Sequence, residues 1–130
     1  MGQLKVAQQS KIAGMLGAGH MLFSWTPILF LVVFAVFTTV VSIDLGRLPY
    51  YAHPDPKDSG FEWLYNGSLL TFLIAVYSLP FWVISTLMAY LAGIGFHPKL
   101  RDVLAYMLGA SVITILFYVD PVGLGEWFLD

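Results

Sequence analysis

Residues 24–43 read SWTPILFLVVFAVFTTVVSI, a run of twenty residues without Asp, Glu, Lys or Arg. A bilayer core about 30 Å thick is crossed by about 20 helical residues. Inside hydrocarbon a backbone amide finds no water, so a run of this length must bond its own amides as a helix. A transmembrane strand would alternate apolar and polar residues, which the segment ILFLVVFAVF does not do. The stretch therefore predicts a transmembrane helix.

Two further uncharged runs, residues 67–94 and 103–119, predict two more transmembrane helices, residues 67–94 and 102–119. The whole composition agrees, because 58% of the residues are hydrophobic, the mean hydropathy is +0.79 and only 11% are charged. Soluble chains carry about 25% charged residues. The composition excludes a soluble enzyme, and the net charge of −2 excludes a nucleic-acid binder. We expect an all-α integral membrane protein that forms a single domain, residues 1–130.

The basic residues predict the orientation of the three helices. Four of them lie before the first helix or between the second and third, and two lie in the other loop: Lys5, Lys11, Lys99 and Arg101 against Arg47 and Lys57. Positive charge is enriched on the cytoplasmic side. We therefore expect a multi-pass protein of a bacterial inner membrane or its equivalent, with the N-terminus in the cytoplasm and the C-terminus outside.

The remaining segments divide the domain further. Residues 1–23 predict a helix at the cytoplasmic surface, because one helix running on into residues 24–43 would be longer than the bilayer is thick. Docking of this helix onto a partner subunit is the alternative. Residues 44–66 form an outer loop, residues 95–101 a cytoplasmic loop, and residues 120–130 an outer tail. We expect the tail to return to the membrane interface through Trp127 and Phe128.

Two histidines are the candidate cofactor ligands. His20 and His97 flank the first and second helices on the cytoplasmic side. Histidines on two helices at one depth hold haem in some membrane proteins, and an interfacial histidine also suits a quinone site. The simpler interpretation is that each imidazole bonds a free backbone group at a helix end. The sequence offers no metal-ligand motif and no catalytic constellation, so we expect no metal, no catalytic residue and no resident cofactor outside the haem or quinone alternative.

Several residues of the second and third helices predict packing contacts. Pro80 removes a backbone hydrogen bond near the middle of the second helix and predicts a kink. Trp82 lies at a depth where its indole N–H needs an acceptor, so we expect it to face protein. Small residues spaced by four let helix backbones approach closely. Two such pairs flank the cytoplasmic loop and predict the seat of a helical hairpin: Ala89 with Gly93, and Ala105 with Gly109.

The function predicted from these features is that of a part of something larger. Three short helices enclose no substrate cavity, and a carrier of protons needs an ionisable group at membrane depth. We expect a non-catalytic accessory subunit of a multisubunit membrane complex, of the energy-transducing or electron-transport kind, that stabilises assembly by helix packing. Its partners would be other membrane subunits and the lipid bilayer. A haem- or quinone-binding membrane anchor is the first alternative, and a small homo-oligomeric transporter or membrane effector is the second.

Overall fold

The computed structural model describes residues 2–49, 55–91 and 97–129, with only the backbone of residues 2–7 and 9. Every regular element in these ranges is helical. The elements are α1 (Gly2–Ser24), α2 (Thr26–Leu45), a 3₁₀ turn (Pro56–Asp58), α3 (Glu62–Leu91), α4 (Leu100–Thr114) with a π-helical extension (Ile115–Val119), and α5 (Leu124–Leu129).

Three helical stretches are long and apolar enough to span a membrane. They are Ser10–Leu45, counted through Trp25, then Glu62–Leu91 and Leu100–Val119. The fold predicted from the sequence is confirmed at this level: the described chain is all-helical with three candidate spans.

The first candidate span is interrupted at Trp25. Pro27 lies in the first turn of α2, where its missing N–H leaves no helical bond unmade. The Leu29 amide donates to the Trp25 carbonyl at 2.9 Å, so the new helix starts at once. α2 ends at Gly46, whose φ of +66° is the left-handed conformation that glycine adopts at little cost.

α1 and α2 both run antiparallel to α3. Residue numbers rise along α1 and α2 while they fall along α3, as a set of side-chain pairs shows: His20–Ser85, Ser24–Trp82, Thr26–Ser78, Phe30–Phe72 and Phe37–Tyr65. The pairing continues through the interruption at Trp25. The end of α1, from Gly19 to Ser24, thus extends the bundle, and the earlier residues of α1 belong to the same unbroken helix.

α4 lies closer to α2 and α1 than to α3. Where α3 and α4 face each other, large rings fill the space, with Trp82 stacked on Tyr106 at 4.3 Å and Phe72 beside Phe117 at 5.1 Å. Gly93, one of the four residues of the expected hairpin seat, lies outside the described residues, so the seat between α3 and α4 stays a prediction. The close backbone approach of α4 is made to α2.

The C-terminal segment folds back into the bundle. Asp120 adopts a positive φ of 40°, which reverses the chain after the π-helical turn, and its carboxylate accepts from the amides of Gly125 and Glu126 at 3.0 and 2.9 Å. Trp127 and Phe128 of α5 are then fully buried. The prediction that these two rings anchor the tail at the membrane interface is wrong, because the protein's own core covers them.

The core is mainly aromatic. Trp127 stacks on Phe37 at 5.3 Å, and Phe128 meets Phe34 edge-on at 5.1 Å. The buried cluster contains Phe30, Phe34, Phe37, Val41, Leu64, Tyr65, Ala75, Trp127 and Phe128. Edge-on and offset ring pairs each contribute about 0.5–1.5 kcal/mol beyond area burial. This cluster holds α2, α3 and α5 together at the end of the bundle away from His20.

Candidate functional site

His20 is a buried residue of the bundle and lies one turn before the end of α1. Its exposed fraction is 1%, and its Nδ1 lies 3.0 Å from the Ser85 hydroxyl of α3. The Ser85 oxygen also lies 3.0 Å from the Trp82 carbonyl, so this hydroxyl connects the His20 ring with the backbone of α3. The tautomer of the imidazole decides whether Nδ1 donates to the Ser85 oxygen or accepts its proton. The imidazole bonds a neighbouring helix, whereas the sequence suggested a backbone group at a helix end.

Trp82 is the centre of this polar cluster. Its indole N–H donates to the Ser24 hydroxyl at 3.1 Å, and Ser24 donates to the His20 carbonyl at 2.7 Å. The indole ring lies between the His20 ring, at 5.8 Å, and the Tyr106 ring, at 4.3 Å. The acceptor that the sequence required for Trp82 is thus within this chain, and its faces are covered by α1 and α4.

A second hydroxyl pair joins α2 to α3 nearby. The hydroxyl oxygens of Thr26 and Ser78 lie 2.9 Å apart. Each hydroxyl also lies within hydrogen-bond distance of a backbone carbonyl three residues earlier, that of Phe23 for Thr26 and that of Ala75 for Ser78. The two hydroxyls have two protons for these three contacts, so only two of the three hydrogen bonds can form at one time. Ser78 therefore has no proton to spare for the Val76 carbonyl, which Pro80 leaves without an amide donor. α3 continues as a helix through Pro80.

Asp102 brings a charge to the edge of the cluster. It lies in the first turn of α4, where the helix dipole favours an acid, and it is only 3% exposed. Its Oδ1 accepts from the Trp25 indole N–H at 3.3 Å and from Arg101 Nε at 3.2 Å. The Arg101 guanidinium also lies 5.9 Å from the Trp25 ring. Trp25 and Arg101 together compensate the carboxylate that α4 carries into the bundle.

A cavity of about 330 Å³ opens beside these groups. Its lining comes from α1 and from the start of α4 with the residues before it: Gly17, Ala18, His20, Met21, His97, Lys99 and Asp102. The structure therefore brings the two candidate histidines to one cavity. It adds a lysine and a carboxylate that the sequence did not connect with them.

A second cavity is lined by residues of α2, α3 and α4. It measures about 170 Å³ and is mostly apolar, lined by Pro27, Ala75, Val76, Leu79, Tyr106, Ala110, Ile113 and Thr114. His20 lines the first cavity and Tyr106 the second, and both rings stack on Trp82.

The residues predicted to make packing contacts differ in how deeply they are buried. Ala89 and Ala105 are buried, while Pro80 is exposed. Gly109 is the tightest contact, because a Cβ at this position would lie 2.8 Å from Pro27 Cβ and 3.2 Å from the Ile28 nitrogen. Gly93 lies outside the described residues.

One packing signal in α3 was overlooked. Small and hydroxyl residues, with Trp82 among them, repeat at alternating spacings of three and four along the helix, the pattern of an interhelical seam. The seam comprises Ser68, Thr71, Ala75, Ser78, Trp82, Ser85 and Ala89. All of these except the half-buried Thr71 are buried, and the seam supplies the hydroxyl partners of His20 and Thr26. The spacing was present in the sequence and identifies the buried face of α3.

Within the described ranges, no group of three or more His, Asp or Glu side chains is arranged to hold a metal ion. Comparison with protein-family models finds no match. Comparison with curated proteins and with solved structures finds no significant match either. No family therefore supplies a function for this chain.

Proposed function

We propose that this protein is a non-catalytic accessory subunit of a larger multisubunit membrane complex, which it stabilises by helix packing. The main support for the proposal is that most residues of each span are not buried by the rest of the chain. In the most apolar stretch of the three spans only 28%, 28% and 22% of the residues are buried. The remaining apolar surface is available to lipid and to neighbouring helices.

The internal polar groups support a structural role. His20, Ser24, Trp82 and Ser85 bond one another between α1 and α3, and so fix how these helices meet. Such bonds average about 0.6 kcal/mol each between membrane helices. A path for protons or ions would need ionisable groups spread through the membrane. Among the described residues, the buried His, Asp, Glu, Lys and Arg side chains are His20 and Asp102, and both lie at one end of the bundle.

The proposed orientation keeps the N-terminus in the cytoplasm and the C-terminus outside, in a bacterial inner membrane or its equivalent. Lys99 and Arg101 lie at the same end of the bundle as His20, since Asp102 contacts Trp25 and lines a cavity with His20. This arrangement gathers the basic residues of α1 and α4 on one side, as the positive-inside rule requires. The residues of α1 before Gly19 would emerge from the bundle at that surface, and the complex would be an energy-transducing one.

The test is isolation of the chain from its native membrane with a C-terminal affinity tag and a mild detergent. We expect other membrane proteins to co-purify in constant ratio, and native electrophoresis to show one band far above the 14.5 kDa of the chain. As a control, a strong detergent should release the chain from that band. Recovery of the chain alone, or only with copies of itself, would overturn the accessory role.

A quinone-binding anchor is the second candidate, and the shared cavity of His20 and His97 favours it. A volume of about 330 Å³ is at the small end of the range of about 300–1,000 Å³ for ligand sites. His97 and Lys99 are N–H donors that suit quinone oxygens. Quenching of tryptophan fluorescence by a short-chain quinone should weaken at least tenfold in His97→Ala and be unchanged in Lys57→Ala. Equal quenching in both variants would remove this candidate, and a Soret band in the purified protein would identify haem instead.

A further inference from the structure

Tyr77 lies at membrane depth wherever the bilayer is placed on α3. It is fifteen residues from Glu62 and fourteen from Leu91, which at 1.5 Å per residue is roughly 22 and 21 Å. The hydrocarbon core is about 30 Å thick. Even if that core began at either end of α3, Tyr77 would lie about 7 Å or more inside it. Tyrosine normally occupies the interface, where its hydroxyl meets water.

The Tyr77 side chain points away from the protein. It is 76% exposed, and its hydroxyl makes no hydrogen bond to the part of the chain that the structure describes. Lipid tails offer no acceptor, so a hydroxyl directed into them loses the hydrogen bond it makes in water. The position therefore calls for an acceptor from another protein surface.

An acceptor of the matching kind lies one residue away on the same helix. The nitrogen of Pro80 has no proton, so the Val76 carbonyl lacks its helical donor. The Ser78 hydroxyl of the same helix donates to the Ala75 carbonyl at 2.7 Å instead. Val76, Tyr77 and Pro80 are all exposed. An unsatisfied donor and an unsatisfied acceptor thus occupy one patch at one depth.

The patch belongs to a continuous outward ridge of α3. At 100° per residue, the ridge lies opposite the buried seam that contains Ser78, Trp82 and Ser85. Its members repeat at alternating spacings of three and four, as in parallel helix pairs. They are Trp63, Asn66, Leu70, Leu73, Tyr77, Pro80, Ile84, Leu87 and Leu91. All are exposed in the structure.

We propose that this ridge binds a second copy of the same chain, as a parallel pair of α3 helices. Two copies inserted in the same direction are related by a two-fold axis along the membrane normal, so each residue meets its own counterpart at its own depth. The Tyr77 hydroxyl of one copy then donates to the Val76 carbonyl of the other, and the reverse bond forms by symmetry. These two hydrogen bonds pair both Tyr77 hydroxyls and both Val76 carbonyls. The dimer is independent of the accessory role proposed above.

The absence of cysteine makes this dimer directly testable. Single cysteines at Leu73 and Ile84 lie on the ridge, while a cysteine at Leu108 lies on an exposed part of α4 and is the matched control. We expect oxidation in native membranes to give a disulfide-linked dimer of Leu73→Cys and Ile84→Cys, with at least fivefold less of Leu108→Cys. Equal crosslinking at all three positions, or none at the ridge, would overturn the dimer.

The hydrogen bond itself is tested by Tyr77→Phe in the Leu73→Cys chain. We expect severalfold less dimer at equal membrane content, and no change for Tyr90→Phe, which alters another exposed tyrosine of α3. An unchanged dimer in Tyr77→Phe would contradict the hydrogen-bonded arrangement. Crosslinks only to a different protein would also overturn this proposal while favouring an accessory subunit. A dimer without any co-purifying protein would support this proposal and overturn the accessory role.

Discussion

The Ser24 hydroxyl links residues that are far apart in the chain. It accepts from the indole of Trp82, 58 positions away, and donates to the carbonyl of His20. The sequence predicted that Trp82 needs an acceptor, because a buried indole N–H is rarely left unpaired. It did not predict which residue supplies one, since that depends on the register of α1 against α3.

Ser24→Ala should destabilise the protein by about 1–3 kcal/mol, because it leaves the buried indole N–H of Trp82 without an acceptor. Unfolding in mixed micelles, followed by circular dichroism, measures the change. Ser42→Ala is the matched control, since the Ser42 hydroxyl donates to the Thr38 carbonyl of its own helix. Its effect should be within about 0.5 kcal/mol.

In a Trp82→Phe background the Ser24→Ala change should cost much less, because the donor is gone. Equal losses of stability in Ser24→Ala and Ser42→Ala would show that the Ser24–Trp82 bond contributes nothing to stability.

Gly109 gives a second prediction at this scale. A methyl group there would lie 2.8 Å from Pro27 Cβ, so Gly109→Ala must push α4 away from α2 and should cost about 1–3 kcal/mol. Gly14→Ala meets nothing within 4 Å and should be neutral or stabilising by up to about 1 kcal/mol, as alanine favours a helix. Thermal unfolding in detergent compares them, and a Gly109→Ala chain as stable as the Gly14→Ala chain would refute the tight contact.

The sequence predicted that the three membrane-spanning helices exist better than it predicted how they pack against one another. The uncharged runs indicate three spans because charge is expelled from hydrocarbon, and Pro27 marks where α2 begins. The small-residue pairs near the cytoplasmic loop suggested that α3 seats α4, yet Gly109 of α4 contacts α2. Runs that are apolar all round do not show which face meets which neighbour. The seam from Ser68 to Ala89 carried that information for α3 alone.

α5 is the element that the sequence placed least well. Trp127 and Phe128 resemble interfacial anchors by residue type. The reversal at Asp120 turns them inward, and Gly125 permits it, since a Cβ there would lie 2.8 Å from the Leu116 carbonyl oxygen. The decisive features are the positive φ angles of Asp120 and Gly123 and two bonds from amides to a carboxylate, none of which composition reveals.

Asp120→Ala should therefore loosen the C-terminal helix. It removes both amide acceptors and places alanine at a positive φ, for an expected loss of about 1–2 kcal/mol. Asp120→Asn keeps one acceptor and tolerates the same φ, so it should lose less. Protease digestion in micelles should release residues 121–130 fastest from Asp120→Ala. Identical digestion of the parent chain and both variants would contradict the proposed role of Asp120.

For the whole molecule, charge was the most informative sequence feature and the least complete one. Its distribution predicted three spans and an orientation. It gave no hint that His20 is buried against Ser85, or that Asp102 is held by Trp25 and Arg101. Those contacts depend on α1 and α4 meeting at one end of the bundle. The sequence selected His20 and His97 by depth alone, and their common cavity with Lys99 appeared only in three dimensions.

The central claim is that the chain crosses the membrane three times, with its basic end inside. Labelling of single cysteines with a membrane-impermeant maleimide tests it most directly, because the chain has no cysteine of its own. Gln8, Asp58 and Glu126 are exposed positions beyond the predicted spans. In intact cells we expect labelling of Asp58→Cys and Glu126→Cys, and of Gln8→Cys only after permeabilisation. Labelling of Gln8→Cys and Glu126→Cys from the same side would contradict three crossings.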